Sequence, residues 1–364
     1  MSVARALGVV ALAAALAPAR AAGPEPLGRV VFARGDALWL TDGRGKGPAI
    51  ELAKLPAPAS QVRVLRTDAA GDKLLVEVAG AWLWAPVPTD GTATTLKPLP
   101  CGAGPARLSP GGDCVVCAGT DGQALLVRLD DGKTFRRPLP GTTALAERAG
   151  ARSLVWIADG AIHAAPITDR TQAKVVAPTA PSRGLVVSPD GTRAVGIYRA
   201  PPAGMPRATE PRDQLMSFAL DGTAAQRRLI RDGVALDWSW DGRWLLVQDG
   251  GKACVVRAVG GEYKCWKGFT AVGLAPDGAW VLMLGPRDGA PTPESAPPPP
   301  EGEVADGGEE EVDDDEVVAL PTGPLSLYRG KLAGAFTERP AVLEKVVDGP
   351  AVWLPPLPAP TPAP

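Results

Sequence analysis

Val234-Ala-Leu-Asp-Trp238, Ser239-Trp-Asp-Gly242 and Arg243-Trp-Leu-Leu-Val247 stand back to back: a short apolar run, a tight polar turn and a second apolar run. Runs this short, rich in Val, Leu and Trp and bounded by Gly and Asp, read as β-strands. The four residues between them make a hairpin turn, in which Asp caps the turn and Gly accepts a positive φ. Two more runs follow, Ala253-Cys-Val-Val-Arg257 and Glu262-Tyr-Lys-Cys-Trp266, joined through Val259-Gly260. Residues 233–267 therefore read as four consecutive antiparallel strands, here termed a to d.

The same turn recurs along the chain as Ser188-Pro-Asp-Gly191, Ala275-Pro-Asp-Gly278 and Ser109-Pro-Gly-Gly112, with weaker copies at Ala69-Ala-Gly-Asp72 and Glu147-Arg-Ala-Gly150. Taking Gly71, Gly111, Gly150, Gly191, Gly242 and Gly278 as markers, the spacings are 40, 39, 41, 51 and 36 residues. A period near forty with four strands per repeat is that of a β-propeller blade. The frame extends to Val62–Trp84, Ala106–Leu129, Leu154–Ile167 and Leu185–Leu220. The first blade has Gly28–Ala33 as strand b and Asp36–Leu40 as strand c, with no strand a ahead of them. Asp348-Gly-Pro-Ala-Val-Trp353 resembles the stretch leading into strand a at Trp238 and lacks a following strand b. Pairing this last strand with the first ones closes the ring and removes an open sheet edge. The expected fold is all-β: a β-propeller of seven four-stranded blades, starting near Gly28, Gly71, Gly111, Gly150, Gly191, Gly242 and Gly278. Six or eight blades stay open, because the repeat near Gly150 departs from the pattern.

The ends and one interior stretch differ from the repeats. Residues 1–22 carry Arg5, an apolar run from Ala6 to Leu16, Pro18 and the small-residue site Ala19-Arg-Ala21, the pattern of a secretory signal peptide. A membrane anchor needs roughly 18 to 20 unbroken apolar residues, more than this run supplies. Residues 23–355 are assigned to the propeller and 356–364 to a proline-rich tail unable to pair in a sheet. With 43 Gly and 40 Pro and no long 3.6-residue periodicity, almost no helix is expected. The expected location is outside the cytoplasm, periplasmic or secreted, with no membrane-spanning segment.

Five cysteines in an exported chain invite disulfide pairing. Folding the hairpin about Val259-Gly260 sets Cys254 opposite Cys265, at a spacing that a cross-strand disulfide tolerates. Of Cys101, Cys114 and Cys117, one must remain unpaired within the chain, and Cys114 and Cys117 should face opposite sides of a strand.

Chemical motifs are sparse. The single histidine, His163, sits in an apolar run with no nucleophile motif beside it, which argues against a Ser/His/Asp triad and against histidine-rich metal sites. Trp39, Trp82, Trp84, Trp156, Trp244 and Trp280 fall in strands b or c, where blades pack together; Trp238, Trp240 and Trp353 lie on or after innermost strands and are held open for ligand stacking. The run Glu301–Glu316 holds ten carboxylates and no cation, inside a Pro-, Gly- and acid-rich stretch of about 286–324 that is expected to be disordered. Asp313, Asp314 and Asp315 lack the alternate spacing of a calcium loop. This stretch interrupts the last blade between strands b and c, and a second insertion, Arg199–Asp213 with Arg199, Arg207 and Arg212, does the same two blades earlier. All b–c loops leave a propeller on one face, so Arg199, Arg207, Arg212, Asp313, Asp314 and Asp315 mark the candidate interaction face. Removing the ten carboxylates from the net charge of −2, and then Arg5 and Arg20, leaves about +6 on the ring. Nucleic acid is not an expected partner, since no basic stretch is clustered.

The Ser-Pro-Asp-Gly turn followed by an apolar strand resembles the TolB-like propeller repeat, which also occurs in prolyl-oligopeptidase-type peptidases. The resemblance covers nearly all of residues 23–355 and implies the fold, with Asp190, Asp241 and Asp277 in structural roles; it says little of activity. TolB itself carries an α/β domain ahead of its propeller, and here strand-like sequence starts directly after the leader, so an ordinary TolB is not expected. The Gly-x-Ser-x-Gly elbow of the peptidases is missing as well. The expectation is an exported, non-catalytic propeller with no cofactor, binding a protein or polymer of the cell envelope through its b–c face. The alternative is a hydrolase- or lactonase-type enzyme using carboxylates or a bound cation in the central channel.

Overall fold

The computed structural model describes residues 28–121, 123–140, 144–148, 151–200, 212–220, 226–231, 233–260, 263–275, 278–287, 325–332 and 340–356. Its strands form seven four-stranded antiparallel sheets, one per blade. Blade 1 is built from Ala351–Leu354, Arg29–Arg34, Ala37–Asp42 and Ile50–Lys54 as strands a to d. Blade 2 has Val62–Thr67, Lys73–Val78, Ala81–Pro86 and the two-residue Lys97–Pro98, and blade 3 has Ala106–Leu108, Cys114–Ala118, Gln123–Arg128 and Thr134–Pro140. Ala144–Arg148, Ala151–Ala158, Ala161–Pro166 and Lys174–Ala177 form blade 4; Arg183–Val187, Arg193–Ala200, Arg212–Ala219 and Gln226–Arg231 form blade 5. Val234–Trp238, Trp244–Asp249, Lys252–Arg257 and Tyr263–Lys267 make blade 6, and Thr270–Leu274, Trp280–Pro286, Leu325–Lys331 and Ala341–Val347 make blade 7.

Closure is as the terminal sequences imply. Arg29 faces Leu354, Val30 faces Trp353 and Val31 faces Val352 in an antiparallel pair, so the last strand supplies the innermost strand of the first blade. The alternation of the strands then fills seven apolar layers, one in each gap between neighbouring blades. Strand b of blade 1 shows how: Val31 and Ala33 pack toward blade 2, while Val30 and Phe32 pack toward blade 7. Every blade is thus buried on both faces, which explains why its central strands read as nearly continuous apolar runs.

Because the strands alternate in direction, a–b and c–d turns emerge on one rim, and b–c turns and d–a connections on the other. Both ends of the described chain, Gly28 and Pro356, lie beside the Arg29–Leu354 pair on the a–b rim. The b–c turns of blades 1, 2, 3, 4 and 6 are short, at residues 35–36, 79–80, 119–122, 159–160 and 250–251. Those of blades 5 and 7 are long, at 201–211 and 287–324. The blade 5 insertion is narrower than the sequence implies, since Arg199 faces Asp213 and Ala200 faces Arg212 within the ladder. Likewise Pro286 faces Leu325, so the blade 7 insertion begins after it.

Cys254 faces Cys265 across the c–d hairpin of blade 6 and the two are disulfide-bonded. A second disulfide links Cys101, in the connection entering blade 3, to Cys117 on its strand b. Cys114 is the free thiol; it points into the gap between blades 3 and 4, whereas Cys117 faces the gap between blades 2 and 3. Burial, then the neighbouring Asp113 carboxylate, pushes the Cys114 thiol up to about 11. Little thiolate forms at pH 8, so iodoacetamide should leave Cys114 unmodified in the native protein and modify it after denaturation without reductant, as mass spectrometry of the intact chain would register.

Candidate functional site

The two rims differ in how much of them is already used. On the a–b rim, each turn glycine adopts a positive φ and sits against the preceding blade. Gly71, Gly112, Gly242 and Gly278 have φ of 73°, 70°, 68° and 67°. A Cβ on Gly71 would strike Pro355, one on Gly112 would strike the Asp68 carboxylate, and one on Gly278 would lie 2.5 Å from Trp244 Cδ1. In blade 3 the structural counterpart of the other markers is therefore Gly112 rather than Gly111: its N–H donates to Ser109 O at 2.9 Å, as that of Gly242 donates to Ser239 O at 2.8 Å.

The turn carboxylates serve this packing. Ser188 Oγ donates to Asp190 at 2.6 Å and Ser239 Oγ to Asp241 at 2.6 Å, and the carboxylates in turn accept the N–H groups of Thr192 and Arg243, each at 3.0 Å. Burial pushes the carboxyls of Asp190 and Asp241 up, but these hydrogen bonds outweigh it and hold both below the ordinary carboxylate value. Asp277 lies outside the described residues. Asp113 reaches the next blade through a contact with Arg152. Asp68, at 2% exposure, takes the Ser position of its turn and accepts the N–H groups of Asp72 and Lys73 at 2.8 and 3.1 Å. Desolvation dominates there and raises its carboxyl above the usual value. Polar contacts thus link the a–b turns of blades 2 and 3, where Lys73 Nζ donates to Gly112 O at 2.6 Å and the Ala69 N–H to Pro110 O at 3.0 Å, and join the blade 3 turn to blade 4 through Asp113 and Arg152.

The b–c rim carries the two insertions. Arg199 is an exposed residue at the end of strand b in blade 5, and Arg212 begins the partner strand c. Arg207, Asp313, Asp314 and Asp315 lie outside the described residues. Blades 5 and 7 flank blade 6, so both insertions leave from one sector of the rim.

The third region is the inner wall, formed by the strands a. Five of the a–b hairpins share one register: Arg66 faces Leu75, Arg107 faces Val116, Val186 faces Val195, Asp237 faces Leu246 and Gly273 faces Leu282. All five precede the first turn residue by two, so they lie at one level of the ring. Arg66, Arg107 and Asp237 are half-buried, while Val186 and Gly273 are buried. At this level, among the described side chains, a single carboxylate, Asp237, occurs with two arginines.

The aromatic and histidine candidates resolve into packing. Trp238 and Trp353, held open for stacking, are 4% and 2% exposed and fill inter-blade layers, with Trp238 Nε1 donating to Val186 O at 3.2 Å. Trp240 is half-buried on the blade 6 turn. His163 stacks on Trp156, with ring centres 5.6 Å apart. No three His, Cys, Asp or Glu side chains among the described residues cluster as a metal site.

No family model matches the chain, and no curated protein matches it. Several solved structures do. TolB from Acinetobacter baumannii aligns at a TM-score of 0.44 and 15% identity, over 66% of each chain. A putative TolB from Agrobacterium tumefaciens aligns at 0.42 and 14%, over 89% of this chain and 92% of that one. The chain is a seven-bladed β-propeller by its own strand order. Hydrazine synthase from Kuenenia stuttgartiensis shows a similar degree of likeness, with a TM-score of 0.47 and 12% identity over 69% of this chain and 86% of that one. The likeness in all three is one of fold, and the chemistry rests on this chain's own residues. No helix among the described residues is long and apolar enough to cross a membrane.

Proposed function

We propose that this protein is an exported, non-catalytic β-propeller that binds a protein or polymer of the cell envelope through its b–c rim. The observation that carries the reading is the asymmetry between the rims. On the a–b rim, polar contacts tie blade 3 to blades 2 and 4, whereas the b–c rim has five short turns and two long insertions in one sector. Long connections carried by a rigid scaffold are where binding surfaces usually lie. The leader-like residues 1–22 and the disulfides support an oxidising location outside the cytoplasm. A channel enzyme of hydrolase or lactonase type would require converging carboxylates, and among the described side chains at that level of the inner wall Asp237 is the one carboxylate.

The test is affinity capture with crosslinking from the native envelope, comparing the full protein with a variant in which residues 288–324 are replaced by a short Gly-Ser linker. The expected result is one envelope component captured by the full protein and lost with the deletion, while the melting temperature is unchanged. Capture of the same component by both forms would move the binding site off the blade 7 insertion and overturn the reading.

A further inference from the structure

Blade 2 carries a truncated outermost strand, and the space this leaves is a groove. Strand d there is only Lys97–Pro98, paired with Trp84 and Leu83. Trp82 O accepts the Leu99 N–H at 2.9 Å, so alternate residues of strand c turn their backbone groups toward strand d. These are Trp82, Trp84 and then Pro86, which has no N–H to donate, and the pairing stops at Lys97. The residues just ahead of it lean on blade 1, where the Thr94 N–H donates to Leu52 O at 2.7 Å. An open cavity of about 400 Å³ results between the outer edges of blades 1 and 2, within the size range of small-ligand sites. Its floor is apolar. Ala53 and Leu55 from blade 1 and Leu83 from blade 2 are 2%, 9% and 8% exposed, and Pro56 and Leu96 continue the lining. The charged side chains that line it, Glu51 and Lys54, are exposed. The Lys54 ammonium stands 3.1 Å from Glu51 Oε2 and 3.2 Å from Asp36 Oδ2. Two carboxylates against one ammonium leave this edge of the groove with a net charge of −1.

We propose that this groove binds a small amphipathic cation, a molecule with an aliphatic or aromatic body and one amine. The body covers the apolar floor and removes it from water. The amine meets the carboxylate that Lys54 leaves uncompensated, whereas an acidic head would set a third negative charge beside Glu51 and Asp36. The groove uses no residue of either insertion, so this site and the b–c rim reading can fail separately.

Isothermal titration of the full protein at pH 7 in low-salt buffer tests it, with hexylamine, 1-hexanol and hexanoate as probes that share a body and differ in the head. The expected result is saturable binding of hexylamine with Kd below about 5 mM, weaker binding of 1-hexanol by about threefold or more, and of hexanoate by about tenfold or more. Ala93→Trp and Thr95→Trp replace exposed residues that line the groove and fill it, so each should weaken hexylamine by about tenfold or more. Glu51→Gln should weaken hexylamine by about threefold while leaving 1-hexanol within about twofold. Tyr263→Ser removes an apolar side chain that is 58% exposed on blade 6, and should leave all three affinities within about twofold. Circular dichroism checks that each variant keeps the ring, and Glu51→Gln keeps the test decisive where a tryptophan variant misfolds. No hexylamine binding up to about 50 mM, equal affinity for the three probes, or affinity unchanged in both tryptophan variants would overturn the proposal.

Discussion

A chain ending at Val347 should fail to fold cooperatively. The missing residues include Ala351–Leu354, all buried, with Trp353 and Leu354 at 2% and 0% exposure. Burying side chains of this size stabilises by roughly 1.5–3 kcal/mol each, so Val352, Trp353 and Leu354 together contribute about 5–9 kcal/mol. That is comparable with the 5–15 kcal/mol by which a whole domain of ordinary stability exceeds its unfolded state. The damage also spreads, because the strand completes two apolar layers, against blade 2 and against blade 7. Its loss would leave Arg29–Arg34, with Val30, Val31 and Phe32, as an apolar open edge of the kind that templates aggregation. Size-exclusion chromatography should show soluble oligomers or no recoverable monomer, and a circular-dichroism melt should lack a sharp transition. A monomer melting within a few degrees of the full chain would show that closure contributes far less than the burial implies. Trp353→Ala, which keeps the strand, is the graded version, with an expected loss of about 3–5 kcal/mol.

Gly112→Ala is the point substitution expected to cost most on the a–b rim, about 3–5 kcal/mol. Two effects combine. Alanine at φ 70° carries left-handed strain of about 1–2 kcal/mol. Its Cβ would also strike Asp68, which cannot retreat without giving up the N–H groups of Asp72 and Lys73 in a buried setting. Gly132→Ala separates the two effects, because Gly132 has φ 68° with open space where the Cβ would stand. The control should lose only the strain, about 1–2 kcal/mol. Denaturant unfolding of both variants measures the difference; equal losses would mean that the turn ring yields readily and the blades are not interlocked there.

Much of this was legible from the chain because a propeller repeats its instructions. The Ser-Trp-Asp-Gly and Ser-Pro-Asp-Gly turns announce a local hairpin, and the pairing of Cys254 with Cys265 follows from the hairpin register alone. What stayed hidden depends on neighbours distant in sequence. Gly111 and Gly112 are equivalent to the eye, and only the Asp68 carboxylate of the preceding blade makes the second the one that must lack a side chain. Cys101 gives no sign of its partner because it lies in a connection between blades, outside any strand register. Trp238 and Trp353 looked available because they are innermost, yet their parity points them into the inter-blade layers. Arg199 and Asp213 looked like loop because charged residues usually are, and the ladder extends through them. The inner-wall arginines had a readable signal, an arginine two residues ahead of the turn in two successive repeats. The insertion rim was legible in position, since strands that pair to their ends fix where the intervening residues leave.

Both ends of the described ring come together behind it, at the rim remote from the insertions. A handle attached at either end, whether a resin, a fluorophore or a surface, would hold the molecule like a plaque on a wall, its insertion-bearing side turned outward. Immobilisation through either end thus preserves access to that side, whereas a handle placed at 201–211 would obstruct it.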